Sequence, residues 1–573
     1  MSIQHRILLS FIVTLSVFIL LYLVFGFHYD TLDDTYRIGF MRGTFYKATV
    51  DTFFIYMIGF SEMWVWLYLK FPEIEWYSLT TLLILFFSCW VIMYSLIKMM
   101  ELSGVKKRLL ILFSLLFFLL LLDEFIVGWQ WSKTAAICIV AGLLLNHTDS
   151  VTNSYRVNWL KIVISGILIL FGILFRYESA LMLFLMYFIY IIVFNLNIRF
   201  LISPAIVAIP FFIIYLFIKF IYPSQDRVNF NTIEPYIFQY HDAGSIKCNI
   251  PKFISDEDEI KREAFNNWFF THKETVDPDF LSTYYTTNIF SKCNIEIVIK
   301  KLNYQWKEYG FYVTDEIKYL HLLWLFLFIS TLTIGNKIQN FQLIVFNLSA
   351  FVMIFSIAVL IKLEKRHIMS LLLLFNVLNF HQFSLRLINS ELLMKVRKRI
   401  LVVGVVIFSI FIFSNLNYLK AYSENKRVDE DYCRQLRNSL SVFHGKVLVP
   451  DVWTILTLIY GKPFEKIDFP KGSNVLIYDS SYGIFYEDIR NELTEKVGSE
   501  TFIDFSKYLI SNSDNIIFIA DNQRMQLIKQ YVESIYHLKF DFKEEYSNEI
   551  IVNSEKNCMK RKFGYYTFKE NQQ

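Results

Sequence analysis

Just after the first apolar stretch of the chain stands His28-Tyr-Asp-Thr-Leu-Asp-Asp-Thr-Tyr-Arg37, with three carboxylates in five positions. Charged groups this close to hydrocarbon are costly, and where they cluster a functional role is a fair default. A positioned carboxylate suits removal of the proton from a hydroxyl as that oxygen attacks carbon. Asp33 and Asp34 are adjacent, so a helix cannot aim both at one point. One of them would take the proton while the other orients it or binds a cation. The plainer alternative is a solvated acidic loop, or the capped start of the helix that follows.

Cations gather at two later points. In Lys362-Leu-Glu-Lys-Arg-His367, the residues Lys365, Arg366 and His367 stand at the end of an apolar segment. Arginine there can grip a phosphate with two parallel hydrogen bonds, and fixed cations stabilise charge that develops on a leaving group. Leu174-Phe-Arg-Tyr-Glu-Ser-Ala180 carries Arg176 and Glu178 at another span end. These two either pair with each other or line the same cavity, with Arg176 on the phosphate; the residues leave both open. Asp123 and Glu124, followed by Trp129, Trp131 and Lys133, either close that cavity or sit at headgroup depth as ordinary interface residues. The chain has no Walker A loop, no Cys/His metal cluster and no Gly-x-Ser-x-Gly elbow, which argues against energy drawn from cytoplasmic nucleotide.

The elements that must position these groups are set by composition. Of 573 residues 55% are hydrophobic and 19% charged, with 58 Phe and 35 Tyr. A soluble fold cannot bury that much apolar surface, whereas a bilayer accepts it as lipid-facing helix. The net charge of +4 gives no footprint for nucleic acid. The segment Ile7–Phe27 is long for a signal peptide and is expected to be a first span. Further spans are expected at Leu79–Ile97, Leu109–Leu122, Ala135–Leu145, Ile162–Phe175, Ala180–Phe194, Leu201–Ile218, Tyr319–Ile334, Phe341–Ile361, Ile368–Phe380 and Ile400–Leu416, about eleven in all. Leu109–Leu122 and Ala135–Leu145 are short, and either extend into their flanks or dip in and return.

With Met1–Arg6 cytoplasmic, the basic loops, such as Lys98–Arg108 and Arg386–Arg399, fall inside. Three larger segments then fall outside: 28–77, 222–318 and 417–573. The domains expected are 1–416, a polytopic α-helical membrane domain, and 417–573, an extracytoplasmic α/β domain. Short β-like runs at Lys446–Val449, Asn474–Tyr478, Asn515–Ile519, Leu538–Phe542, Glu549–Val552 and Tyr565–Phe568 alternate there with helical stretches such as Gln523–Tyr536. The middle loop holds a charged helical candidate, Asp256–Thr271. Cys248 with Cys293, and Cys433 with Cys558, fall two by two in the outside segments. They are disulfide candidates, with pairing within each segment expected.

This order of features resembles the GT-C glycosyltransferase superfamily of bacterial envelopes. Asp33-Asp34 with Arg37 is similar to the acidic motif of that family's first loop. Arg176-Tyr-Glu178 and Lys365-Arg366-His367 are similar to its later donor-phosphate motifs. There is also a narrower likeness to transferases that decorate O-antigen. The resemblance implies a multi-pass protein of the bacterial cytoplasmic membrane with its N-terminus inside. It implies a polyprenyl-phosphate-sugar donor, a glycan or lipid acceptor on the outer face, and inversion at the sugar C1. It assigns the base to Asp34 with Asp33 as helper (the reverse being the alternative), and the donor phosphate to Lys365, Arg366, His367 and Arg176. Arg37, Glu178, Asp123 and Glu124 would line the cavity. It implies no certain cofactor and no metal ligands, a divalent cation being optional as in some relatives. The competing readings are an O-antigen or polysaccharide polymerase, and a lipid or glycan transporter.

Overall fold

The computed structural model describes residues 2–44, 60–101, 105–148, 159–196, 255–266, 277–285, 315–360, 365–389, 394–467, 474–475, 502–512, 514–554 and 557–570, with a few isolated positions between them. The longer helices are α1 (Ile3–Phe25), α4 (Trp76–Glu101), α5 (Lys107–Val127), α6 (Trp131–His147), α7 (Trp159–Phe175), α8 (Tyr177–Val193), α11 (Asp315–Ile334), α12 (Lys337–Leu360), α13 (Lys365–Asn389) and α14 (Met394–Ser439). Two short helices, α2 (Leu32–Met41) and α3 (Phe60–Lys70), lie between α1 and α4. Two more, α9 (Asp256–Asn266) and α10 (Pro278–Tyr284), lie between α8 and α11.

Among the described residues seven helices are long and apolar enough to cross a membrane: α1, α4, α5, α11, α12, α13 and α14. They mark a membrane-embedded helical protein. The expected short segment at Leu109–Leu122 is in fact part of a helix of 21 residues, about 30 Å long and so of spanning length. α6, α7 and α8 have 17 residues each and cover three further expected segments. The expected span Leu201–Ile218 lies almost wholly outside the described residues.

Successive helices bring alternate ends together. At one end Arg6 Nε meets Glu101 at 3.0 Å, Lys98 meets Thr148 at 3.3 Å and Arg386 meets Asn340 at 2.8 Å. At the other, Arg176 meets Ser132 at 2.6 Å and Arg366 meets Asp33 at 3.2 Å. The candidate motifs all sit at a single end.

α6 is the centre of the bundle, with every side chain from Trp131 to His147 buried. It crosses α7 at close range on two glycines. A Cβ on Gly142 would lie 2.7 Å from the Ser165 carbonyl oxygen, and one on Gly172 would lie 2.8 Å from that of Ala135. Small residues at such crossings let backbones approach where lipid supplies no hydrophobic drive, and Ser165 Oγ donates to the Gly142 carbonyl at 2.5 Å. Gly172→Val is expected to lower the yield of monodisperse protein and its melting temperature in detergent. A cost of roughly 1–3 kcal/mol is usual for overpacking, and Gly172→Ala should fall between native and valine.

α14 has 46 residues, about 70 Å at 1.5 Å per residue. It runs unbroken through the expected boundary at 416/417 and carries the bundle into a mixed sheet. Five strands, β3 (Val447–Pro450), β4 (Asn474–Val475), β5 (Ile516–Asp521), β6 (Phe540–Ser554) and β7 (Asn557–Glu570), lie in the order β4-β3-β5-β7-β6. The first three are parallel, and β7 joins antiparallel to β5 and β6. Three helices accompany them: α15 (Val452–Leu458), α16 (Phe502–Ser511) and α17 (Asn522–Tyr536). The separate runs expected at Leu538–Phe542 and Glu549–Val552 are one strand, because β6 pairs with β7 throughout apart from one irregularity at Glu544–Tyr546. The middle-loop helix expected at Asp256–Thr271 is described as α9, ending at Asn266.

The Cys433–Cys558 pairing is corrected. Cys433 is a free thiol, buried on α14 beside Tyr29 and Tyr460. Cys558 lies opposite Asn553 near the tip of the β6–β7 hairpin, beyond the Phe563 position where β5 pairing stops. Cys248 and Cys293 lie outside the described residues.

Candidate functional site

The first loop is tied down before it reaches the acidic pair. α1 ends at Gly26, whose φ of +81° is a conformation L side chains rarely adopt. Two residues on, β1 (His28–Tyr29) pairs in parallel with β2 (Gly128–Trp129), fastening the loop to the α5–α6 turn. α14 braces it from behind. His28 Nδ1 meets buried Glu430 at 2.7 Å, and Tyr422 donates to Asp30 at 3.0 Å. Asp30 also meets Lys133 at 3.0 Å, and Lys133 in turn meets Glu124 at 3.5 Å. Of the three loop carboxylates, Asp30 thus belongs to the brace.

Asp33 and Asp34 fall in the first turn of α2, where the helix dipole favours negative charge. Successive residues point about 100° apart, and the two carboxylates part accordingly. The Asp33 side chain is 51% exposed and meets Arg366 Nη1 at 3.2 Å. Asp34 is fully buried. Its Oδ1 accepts from the Tyr77 hydroxyl at 2.5 Å and from the Trp131 backbone N–H at 3.2 Å. Its Oδ2 is buried with no hydrogen-bond partner among the described residues. Burial pushes the Asp34 carboxyl up to about 7, against the opposing pull of the Tyr77 hydrogen bond and of Arg37. One oxygen is held in place, and the other is available to take a proton near neutral pH.

Three arginines from separate stretches of chain stand about the acidic pair and Trp131. Arg37 follows Asp34 by three residues on α2, and its guanidinium lies 4.0 Å from the centroid of the Trp131 ring. Arg176, at the start of α8, lies 4.8 Å from the same centroid and donates to Ser132 Oγ at 2.6 Å. These two distances bound the separation of the two charges at under 9 Å. Repulsion at that largest separation is roughly 2 kcal/mol at an effective dielectric of 20 and grows as the charges approach, and each cation–π contact offsets roughly 0.5–2 kcal/mol. Arg366, in the first turn of α13, reaches Asp33, and buried His367 follows it. The sequence order of these motifs spans more than 300 residues; the fold brings them to one place.

The remaining candidates divide. Glu178 lies 4.0 Å from Arg176 and is about one-third exposed, so it lines the cluster's edge and pairs loosely. Glu124 is engaged by Lys133, and Asp123 accepts from Asn415 of α14 at 2.7 Å. Asp123 and Glu124 therefore serve the brace beside the site rather than the acidic pair itself. Lys365 opens α13, but its side chain is outside the described residues.

Several residues that matter here were not singled out from sequence. Tyr77 holds Asp34, and the backbone of Tyr77 donates to the Tyr68 hydroxyl at 3.1 Å. Tyr68 in turn donates to Glu75, which Arg42 meets at 3.5 Å. Burial pushes the Glu75 carboxyl up to about 7, with Tyr68 and Arg42 pulling it down. The signal for this second carboxylate is faint: it is one of two acids in the short stretch Phe71-Pro-Glu-Ile-Glu-Trp76, ahead of a span. In comparisons with known proteins, no family model matches this chain and no curated protein is detectably similar to it.

Proposed function

We propose that this chain is an inverting glycosyltransferase of a bacterial cytoplasmic membrane. It moves a sugar from a polyprenyl-phosphate donor to a glycan or lipid acceptor on the outer face. The observation that carries this reading is the buried Asp34, with one oxygen fixed and the other without a hydrogen-bond partner among the described residues, close to Arg37 and to the Trp131 and Asp33 that hold Arg176 and Arg366. A base and a set of fixed cations are what direct displacement at a glycosyl phosphate requires. The acceptor oxygen forms its bond to C1 while its proton passes to Asp34 Oδ2. The bond from C1 to the phosphate oxygen breaks with its electron pair, and the arginines stabilise the charge gained there. Asp33 turns away to Arg366, so Asp34 is the base in this proposal and Asp33 sets the position of a donor-binding arginine. The sheet domain continues from α14 on the same end as the site, and in this reading it faces the acceptor.

The test is genetic and chemical. Deletion in the host should remove one sugar from the envelope glycans, measured by mass spectrometry. The native chain should restore it, and a stably inserted Asp34→Asn chain should not. Unchanged glycans on deletion would exclude a transferase and bring a transporter forward; restoration by Asp34→Asn would exclude Asp34 as base.

The pH dependence follows from the same carboxyl. The base works only when ionised, and burial holds it protonated to about 7. Transfer by purified protein in nanodiscs should therefore be slow at pH 5, rise through about 7 and level off above 8. A rate independent of pH over that range would rule out a buried carboxylate as the base.

A further inference from the structure

Trp131, which the sequence offers either as part of the cavity wall or as an ordinary interface residue, joins the two halves of the site. Its ring is 2% exposed and carries the Arg37 guanidinium at 4.0 Å and the Arg176 guanidinium at 4.8 Å. Its backbone N–H donates to Asp34 Oδ1. Two like charges on one indole repel each other, and an anion between them would turn that repulsion into attraction from both sides. The ring holds the two guanidiniums less than 9 Å apart, so their forked donors are near enough to serve one anion.

We infer that Trp131 is a positioning residue for the phosphate of the lipid-linked donor. Its ring spaces Arg37 and Arg176 to receive one phosphate, a diester in the donor and a monoester once the sugar has left, while its backbone holds the base. This rests on the transferase reading. It adds that the base and the leaving group are registered to one residue, so that their separation across C1 stays fixed. In an in-line displacement the attacking and departing oxygens lie on opposite faces of C1, and a loose separation would cost rate.

The two roles of Trp131 separate experimentally, because substitution removes the ring and keeps the N–H. In nanodiscs, farnesyl phosphate, a short polyprenyl phosphate, should raise the melting temperature of the native chain. Trp131→Leu should need at least tenfold more farnesyl phosphate for the same rise, and its KM for donor should increase by a similar factor. The pH midpoint of its kcat should stay near that of the native chain, since the backbone bond to Asp34 remains. Trp131→Phe, which keeps an aromatic face, should lie within about threefold of native. Tyr77→Phe should do the reverse, moving the pH midpoint with little change in farnesyl phosphate binding. Should the leucine variant fail to insert, Trp131→Met is read in the same way. Equal binding by native and Trp131→Leu chains overturns this inference and leaves the transferase reading standing. Farnesyl phosphate without effect on the native chain, together with unchanged glycans on deletion, overturns both.

Discussion

Asp34→Asn is expected to lower sugar transfer by about 100- to 10,000-fold, the range that a positioned general base contributes. It should also make the protein more stable. The carboxyl is ordinarily half-ionised near 4, and burial raises this to about 7 in the folded chain. A group raised in this way gives stability that is fully present below about 4 and is lost as pH climbs to about 7. Above that, the native chain carries a penalty on the order of 4 kcal/mol that asparagine lacks. Thermal melts in nanodiscs should show the two chains diverging between pH 4 and 7, with asparagine higher by several degrees at pH 8. Loss of activity with gain of stability separates a catalytic group from a packing group. A variant that is both inactive and less stable at pH 8 would place Asp34 among the structural residues. Asp33→Asn should cost less than tenfold, since that side chain is half-exposed and acts through Arg366.

The second large effect is expected at Arg176. Removing a fixed donor from the point where charge develops costs about 100- to 1,000-fold in turnover, and Arg176→Gln is expected to fall in that range. Arg176→Lys should recover only part of it. An ammonium cannot at once lie flat on the Trp131 ring, bond Ser132 and offer a forked pair to phosphate. Single-turnover rates with saturating donor would measure the effect on chemistry apart from binding. Arg366→Gln should show a smaller loss. In a double-mutant cycle, Arg366→Gln and Asp33→Asn should be non-additive because the two side chains touch. Full additivity would show that the 3.2 Å contact has no part in setting the site.

Much of this was legible along the chain because a bilayer imposes a one-dimensional rule. Each apolar run long enough to cross must be helical, so most of the expected segments coincide with described helices. The acidic pair and the two cationic motifs were visible for a related reason: charge at a span end stands out against some twenty apolar neighbours. Strand positions in the C-terminal part were also readable from short β-like runs, apart from the lengths of β6 and β7, each of which depends on pairing with the other and not on local pattern.

What the sequence by itself determined was which residues stand at the ends of helices. Only the tertiary structure decided how they differ in role. Asp30, Asp33 and Asp34 are chemically alike and almost adjacent, yet one is bound by Lys133 and Tyr422, one faces Arg366, and one is sealed under Tyr77 and Trp131. Tyr77, Glu75 and Trp131 gain their importance from partners 7 to 97 positions away. Cys433 lost its expected partner for the same reason, being turned into the bundle while Cys558 lies out on a hairpin tip. The physical cause is common to all of these. Burial and hydrogen-bond partners set the protonation and reach of a side chain, and both are properties of the packed fold, whereas residue type and spacing record only what a side chain is able to do.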